Sequence, residues 1–107
     1  MNASSRDRDT ATLKALHEHG DAAVIMRPVF IWIYGEEADL RKVASRLAAT
    51  WQDVEPEQAN SGWVIRAQRE QEATEEAIFA MSDEINAAIE DTDAEFDGWE
   101  TSVERSN

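Results

Sequence analysis

The chain has 107 residues and a mass of 12.0 kDa, which fits one small domain, and 42% of its residues are apolar. Its formal net charge of −13 argues against direct binding to nucleic acid or to an anionic membrane, since Lys and Arg hold both. The absence of cysteine excludes disulfides, thiolate nucleophiles and cysteine metal clusters. No apolar run reaches the roughly 18–20 residues of a membrane span, and the charged N-terminus is unlike a signal peptide. We therefore expect a cytoplasmic protein.

The first twenty residues predict a flexible terminus followed by a helix. Residues 1–9 are polar and are expected to be a flexible N-terminus, with one domain over residues 10–107. Thr10 can cap a short helix, and Gly20 lies where a helix ends in the left-handed conformation. This helix precedes the main pattern of strands and helices, so we expect it to cover the other face of the sheet or an edge.

The next segments predict a strand, a helix and a hairpin. The β-branched and aromatic run at 29–34 belongs to a strand over 22–34 that is apolar on both faces, and is therefore central in its sheet. Apolar residues at three- and four-residue spacing predict an amphipathic helix over about 38–51. A weak edge strand at 53–58 and an alternating strand at 63–68 follow as the arms of a hairpin.

The last elements complete a recognisable order. A second long helix starts at Thr74 with a buried stripe that includes Ile78, Met81 and Ile85, and a final strand covers about 94–103. The order of a helix and then β-α-β-β-α-β predicts an α+β, ferredoxin-like split βαβ fold (βαββαβ). Such a fold has a four-stranded antiparallel sheet with two helices on one face, here with an extra N-terminal helix. Its first and third strands are central, which suits the two most apolar strand candidates.

Negative charge is concentrated in the second half of the chain. Residues 54–107 hold 15 of the 23 acidic residues and only 3 basic ones. At 100° per residue, four carboxylates fall on the outer side of the second long helix, opposite its apolar stripe. A solvated face that serves only solubility is the alternative interpretation. The predicted partner-binding residues are these four and three carboxylates that follow: Glu72, Glu76, Asp83, Glu90, Asp91, Asp93 and Asp97.

No constellation indicates catalysis or metal chemistry. The serines lack a nucleophile-elbow context, the four glycines are too dispersed for a phosphate-binding loop, and carboxylates crowded on a solvated face lack the burial that pKa tuning requires. We expect no catalytic residue, no cofactor and no metal. Residues 93–104 have the spacing of a calcium-binding loop, but Glu95 is too long for its third position and a second flanking helix is missing. Only a weak calcium association is left open there.

The C-terminal segment Phe96-Asp97-Gly98-Trp99-Glu100-Thr101 resembles the aromatic-Asp-Gly-Trp-x-Thr signature of the regulator of ribonuclease activity B family, protein inhibitors of ribonuclease E. Leu16-x-x-x-Gly20-Asp21 is similar to the segment that leads into the first strand of that family. The resemblance, over about residues 10–104, implies a small, acidic, non-catalytic protein that binds the RNA-degrading machinery and restrains endonuclease activity. The matching motif positions are Phe96, Asp97, Gly98, Trp99 and Thr101.

The residues themselves favour a structural role for this motif. Asp97 and Gly98 permit a bulge or bend in a strand, because glycine accepts backbone conformations that other residues avoid. Trp99 is then expected to pack beneath the bend, as a large aromatic side chain usually does.

Two functions follow from these observations. The leading hypothesis is an acidic interaction module that binds a basic, Arg-rich protein segment, plausibly in a ribonuclease, since carboxylates take guanidinium groups in bidentate geometry. The alternative is a domain that self-associates through its sheet, as a weak homodimer, with the acidic face serving solubility only. Apolar side chains on both faces of residues 30–34 motivate this alternative. Salt-sensitive binding to a basic peptide supports the first, and salt-insensitive dimerisation supports the second.

Overall fold

Three helices and four strands follow one another along the described residues in the predicted order. The computed structural model describes residues 2–105, with side chains from residue 7 onward. The strands form one antiparallel sheet in the order β2-β3-β1-β4, so the predicted ferredoxin-like arrangement is confirmed and β1 and β3 are central. The elements are α1 (Asn2–Glu18), β1 (Arg27–Gly35), α2 (Glu37–Leu47), β2 (Glu57–Ala59), β3 (Gly62–Gln71), α3 (Glu75–Ile89) and β4 (Glu95–Thr101).

The hydrophobic core lies between one face of the sheet and the helices. Val29, Ile31 and Ile33 alternate along β1 and are fully buried, because successive side chains of a strand point to opposite faces. Burial of each such aliphatic side chain contributes about 1.5–3 kcal/mol. The buried stripe predicted for the second long helix is confirmed in α3. The core residues that the helices contribute include Leu40, Val43 and Leu47 from α2, and Ile78, Met81 and Ile85 from α3.

The first helix is longer than predicted. It begins at Asn2 rather than at Thr10, and Asp9, which we placed in the flexible N-terminus, is only 3% exposed. Leu16 reaches the core, and α1 packs against α3 and β4, so it lies at an edge of the sheet on the helix side. Gly20 follows the helix with a φ of +84°, as predicted. Mobility of residues 1–9 in solution stays a prediction.

Several strand and helix ends also differ from the sequence pattern. β1 begins at Arg27 rather than near residue 22, because residues 21–26 form a turn instead. α2 ends at Leu47, although the apolar spacing continues to Trp51. The carbonyl oxygen of Leu47 accepts hydrogen bonds from the backbone N–H groups of Thr50 and Trp51 in the turn that follows. The edge strand β2 has only three residues, with an isolated bridge from Gln52 to β3 nearby.

A buried ion pair fastens the α1–β1 turn to the C-terminal segment. Nη1 of Arg27 lies 2.8 Å from Oδ1 of Asp21, and neither side chain is more than 3% exposed. The remaining guanidinium donors reach the carbonyls of Ala22, Ile25 and Ser102. The fully buried guanidinium therefore has an acceptor for each of its nitrogens, as a buried charge requires.

The segment with calcium-loop spacing is not a loop. Residues 95–101 form β4, and a strand of this length spans roughly 23 Å. Asp93 and Glu104 lie beyond opposite ends of that strand, so they cannot ligate one ion in the way a calcium loop requires. Among residues 2–105, no group of three or more His, Asp or Glu side chains has a metal-binding arrangement.

Candidate protein-interaction site

Three of the predicted partner-binding carboxylates form a row on α3. Glu76, Asp83 and Glu90 lie within about 40° of one another around the helix axis, opposite the buried stripe. All three are exposed, and Glu90 immediately follows the last helical residue. Thr74 fixes the start of the helix, since its hydroxyl accepts a hydrogen bond from the backbone N–H of Ala77 at 3.2 Å. We call Glu76, Asp83 and Glu90 the acidic row.

The other four predicted carboxylates lie elsewhere. Glu72 precedes the capping residue and is half-buried, so it is not on the outer face of the helix as predicted. Asp91 accepts two hydrogen bonds from Arg46, at 2.6 and 3.0 Å, and these lower the pKa of Asp91 to about 2. Asp93 and Asp97 are exposed and line two separate clefts. The structure thus brings together three of the seven predicted residues.

The arginines of α2 and β3 are bound by the chain's own carboxylates. Their pairs, with N–O distances of 2.5–3.1 Å, are Arg41 with Glu37 and Glu55, Arg46 with Asp91, Arg66 with Glu57, and Arg69 with Glu84. Within residues 2–105, neither Glu76 nor Glu90 takes part in an ion pair. These two carboxylates therefore present their charge to solvent, where a cationic partner can reach it.

The predicted aromatic-Asp-Gly-Trp motif forms a β-bulge in β4. Ile33 pairs with Phe96 and Ile31 pairs with Trp99. Two residues of β1 that are two positions apart therefore pair with two residues of β4 that are three positions apart, and the extra residue in β4 is the bulge. Gly98, inside the bulge, has a φ of +109°, which favours glycine. The bulge keeps both aromatic side chains on the helix face of the sheet. The expected bend, with a partly buried tryptophan packed beneath it, is confirmed.

The bulge positions Trp99 to hold the first helix. Nε1 of Trp99 donates to Oδ1 of Asp9 at 2.9 Å, and the hydroxyl of Ser82 in α3 donates to Oδ2 at 2.6 Å. Arg8 donates to the carbonyl of Phe96 at 3.2 Å. A single buried carboxylate thereby joins α1, α3 and β4. The motif is thus a structural junction in this chain.

Sequence reasoning missed this junction because a carboxylate near the N-terminus resembles a solvated residue. One signal was present: Asp9, Leu13 and Leu16 follow the i, i+4, i+7 spacing of a single helix face. A buried polar residue keeps its place only when its hydrogen bonds are satisfied, and here two donors satisfy the carboxylate. Nothing in the sequence indicates that one of those donors is Ser82, because its contact spans 73 positions.

Two clefts flank the start of β4. One, of about 300 Å³, lies between α1 and the bulge and includes Asp97. The other, of about 670 Å³, lies where β1 meets α2 and is lined by Tyr34, Trp63, Glu36 and Asp93, among others. Aromatic rings and carboxylates in one cleft are typical of a place that accepts a cationic side chain.

The comparison with protein families decides the assignment. A model of the regulator of ribonuclease activity B family (RraB) matches residues 6–101, nearly the whole chain. The chain belongs to this family. The resemblance found in the Phe96–Thr101 motif is therefore confirmed. RraB proteins regulate ribonuclease E activity through protein interaction and are regulators rather than catalysts. No curated protein matches the chain significantly.

A membrane-spanning helix is absent from the described part of this RraB chain. Over residues 2–105, none of the helices combines the length and the apolar character that crossing a bilayer requires.

Proposed function

We propose that this RraB-family domain is a non-catalytic regulator, acting in the cytoplasm, that binds a basic, Arg-rich segment of ribonuclease E or a similar ribonuclease and restrains RNA cleavage. The observation that carries the proposal is the acidic row on α3, exposed in a chain of net charge −13 that belongs to this family. The described arginines of α2 and β3 do not neutralise Glu76 or Glu90, because each is already paired elsewhere.

The physical mechanism is competition for guanidinium groups. An Arg-rich segment that holds RNA does so through N–H donors directed at phosphate oxygens. Carboxylates offer the same donors a bidentate acceptor, so a bound acidic domain occupies groups that would otherwise hold phosphates. Cleavage is then restrained without any chemistry performed by this chain.

The remaining predicted residues contribute to different degrees. Glu72, Asp93 and Asp97 add to the negative field around the domain, which attracts a basic partner over longer distances. Asp91 contributes less to that field because Arg46 compensates its charge in the two-pronged pair. We therefore expect the acidic row to dominate the electrostatic attraction, helped by Glu72 near the N-terminal end of α3.

Neutralising the acidic row together with the neighbouring Glu72 is expected to slow association with immobilised ribonuclease E. The variant combines Glu72→Gln, Glu76→Gln, Asp83→Asn and Glu90→Gln, which keep shape and polarity while removing charge. We expect the association rate at ~50 mM salt to fall about tenfold, because steering by exposed charge acts chiefly on the on-rate. At ~300 mM salt the screening length is roughly 6 Å, and the parent and the variant should associate with ribonuclease E at similar rates.

A matched control removes the same number of charges elsewhere. It combines Asp7→Asn, Glu18→Gln, Asp53→Asn and Glu55→Gln, which are exposed positions outside α3. This control should retain most of the parent's association rate at both salt concentrations. Equal rates for the parent and the α3 variant at both concentrations would mean that the α3 face serves solubility only.

A further inference from the structure

The sheet face opposite the helices is uncovered and aromatic. Phe30, Trp32 and Tyr34 alternate with the buried residues of β1 and therefore point away from the core. Phe30 and Trp32 are partly exposed, and Tyr34 is 39% exposed. The three side chains form what we call the aromatic stripe, about 13 Å long. All three helices pack on the other side of the sheet, as their contacts with the buried face and with one another show.

Carboxylates border the aromatic stripe on the β4 side. Glu95 is the register partner of Tyr34, and Glu100 is the register partner of Phe30. Partners directly opposite in an antiparallel sheet share a face and lie about 4.5–5.5 Å apart at Cβ. Both glutamates are exposed, so each sits beside an aromatic ring with its charge in solvent.

The β3 side of the stripe carries a cation that is already neutralised. Arg66 is the register partner of Trp32, and Glu57 of β2 binds its guanidinium at 2.5 Å. Glu70, opposite Pro28, adds a further exposed carboxylate at the end of this side. Among the described strand residues on this face, Arg66 is the one cation against four glutamates.

We infer that this uncovered face is the docking surface for an arginine-bearing segment of the partner, an inference that rests on the proposed function. A guanidinium group stacks on an aromatic ring while its in-plane N–H donors reach carboxylates beside that ring. The aromatic stripe with Glu95 and Glu100 offers both kinds of contact side by side. A lysine ammonium is more strongly hydrated and has no planar face to stack, so it fits this arrangement less well.

The cleft at the end of β1 extends the same chemistry beyond the sheet. Tyr34 belongs to both the aromatic stripe and this cleft, which adds the ring of Trp63 and the carboxylates of Glu36 and Asp93. A segment that lies along the stripe can therefore place one arginine in the cleft. This placement gives Asp93, one of the predicted partner-binding residues, a role separate from the acidic row.

A second copy of the chain is a poorer occupant of this face. Two copies would bring like-charged rims together, in proteins that each carry a net charge of −13. Like charges placed opposite each other across an interface cost affinity, whereas a cationic segment relieves the repulsion already present on the face. Charge complementarity therefore selects a basic partner over self-association through the aromatic stripe.

The test uses two short synthetic peptides, one alternating arginine with serine and one alternating lysine with serine, titrated into the full chain. Binding is followed by backbone amide chemical shifts at ~150 mM salt, where long-range steering is largely screened. We expect the arginine peptide to bind about two- to fivefold more tightly than the lysine peptide. The largest shifts should lie in β1 and in the flanking residues of β4.

Two pairs of substitutions with the same charge change distinguish contact at this face from the effect of net charge. Glu95→Gln with Glu100→Gln should weaken binding of the arginine peptide about five- to tenfold, whereas Glu18→Gln with Glu55→Gln, at exposed positions outside α3 and the aromatic stripe, should change it less than about twofold. Tyr34→Leu, which keeps an apolar side chain but removes the aromatic ring, should reduce the preference for arginine over lysine, because Phe30 and Trp32 still offer rings for stacking.

Each other outcome overturns the inference in an identifiable way. Equal affinity for the two peptides, or equal weakening by the two glutamine pairs, would show that net charge alone governs binding. Shifts confined to α3 would overturn the docking surface and leave the proposed function intact. Failure of both peptides to bind would contradict the proposed function as well. Concentration-dependent shifts in β1 without peptide would identify a second copy as the occupant.

Discussion

Replacing Arg27 with methionine is expected to lower the free energy of unfolding by about 3–5 kcal/mol. The guanidinium is fully buried and donates to the Asp21 carboxylate and to three backbone carbonyls, two of them in the α1–β1 turn and one, from Ser102, beyond β4. Without it, the Asp21 charge stays buried with only the backbone N–H of Glu104 to donate to it among the described contacts. An uncompensated buried charge is costly because the interior cannot solvate it. Urea unfolding measures the loss.

A second variant distinguishes the charge from the packing. Combining Arg27→Met with Asp21→Leu removes both charges, so it should recover part of the stability that Arg27→Met loses, since apolar replacement of a whole buried pair is often nearly neutral. The denaturant slope should stay constant, so that midpoints can be compared directly. A loss below about 1 kcal/mol for Arg27→Met alone would show that water reaches the ion pair and that the pair contributes little to stability.

The Ile85→Ala substitution is expected to cost about 2–4 kcal/mol through the cavity it leaves. Ile85 is 0% exposed and lies in the middle of the α3 stripe, packed in the cluster that includes the buried face of β1. Ala80→Gln, at an exposed position in the same helix, should change stability by less than about 0.5 kcal/mol. A near-zero loss for Ile85→Ala in the same unfolding measurement would mean that α3 presents a different face to the sheet.

The sheet and the phase of α3 could be predicted because both depend on apolar periodicity. The run at 29–34 is apolar on both faces and forms the central strand β1, and residues 78, 81 and 85 form the buried stripe of α3. The position of Glu72 was wrong because the helical phase was extended to a residue before the predicted start of the helix. Thr74 caps α3, which begins at Glu75, so Glu72 precedes the helix and does not follow its phase.

The length of α1 and its junction could not be predicted from periodicity. Residues 2–10 contain almost no apolar side chains, so nothing in the pattern extends the helix toward the N-terminus. The helix is held there by Asp9, whose partners lie 73 and 90 positions away along the chain. Hydrogen bonds between residues so distant in sequence depend on the assembled fold.

Only the part of the candidate site that lies on a single helix could be predicted. Helical phasing placed Glu76, Asp83 and Glu90 on one side, because they belong to one element with one axis. The pairing of Asp91 with Arg46 links two elements 45 positions apart and could not be read from charge alone. The aromatic stripe was visible as an apolar run, but its glutamate border required the register of β4 against β1.

The measurement that tests the central claim most directly is RNA cleavage by purified ribonuclease E with increasing amounts of this chain. We predict that the cleavage rate falls saturably as the chain is added, and that the chain alone leaves the RNA intact. The variant neutralised at Glu72, Glu76, Asp83 and Glu90 should require a higher concentration for the same effect, because its binding loses electrostatic attraction. A cleavage rate that does not change with added chain, or cleavage by the chain itself, would contradict a non-catalytic regulator.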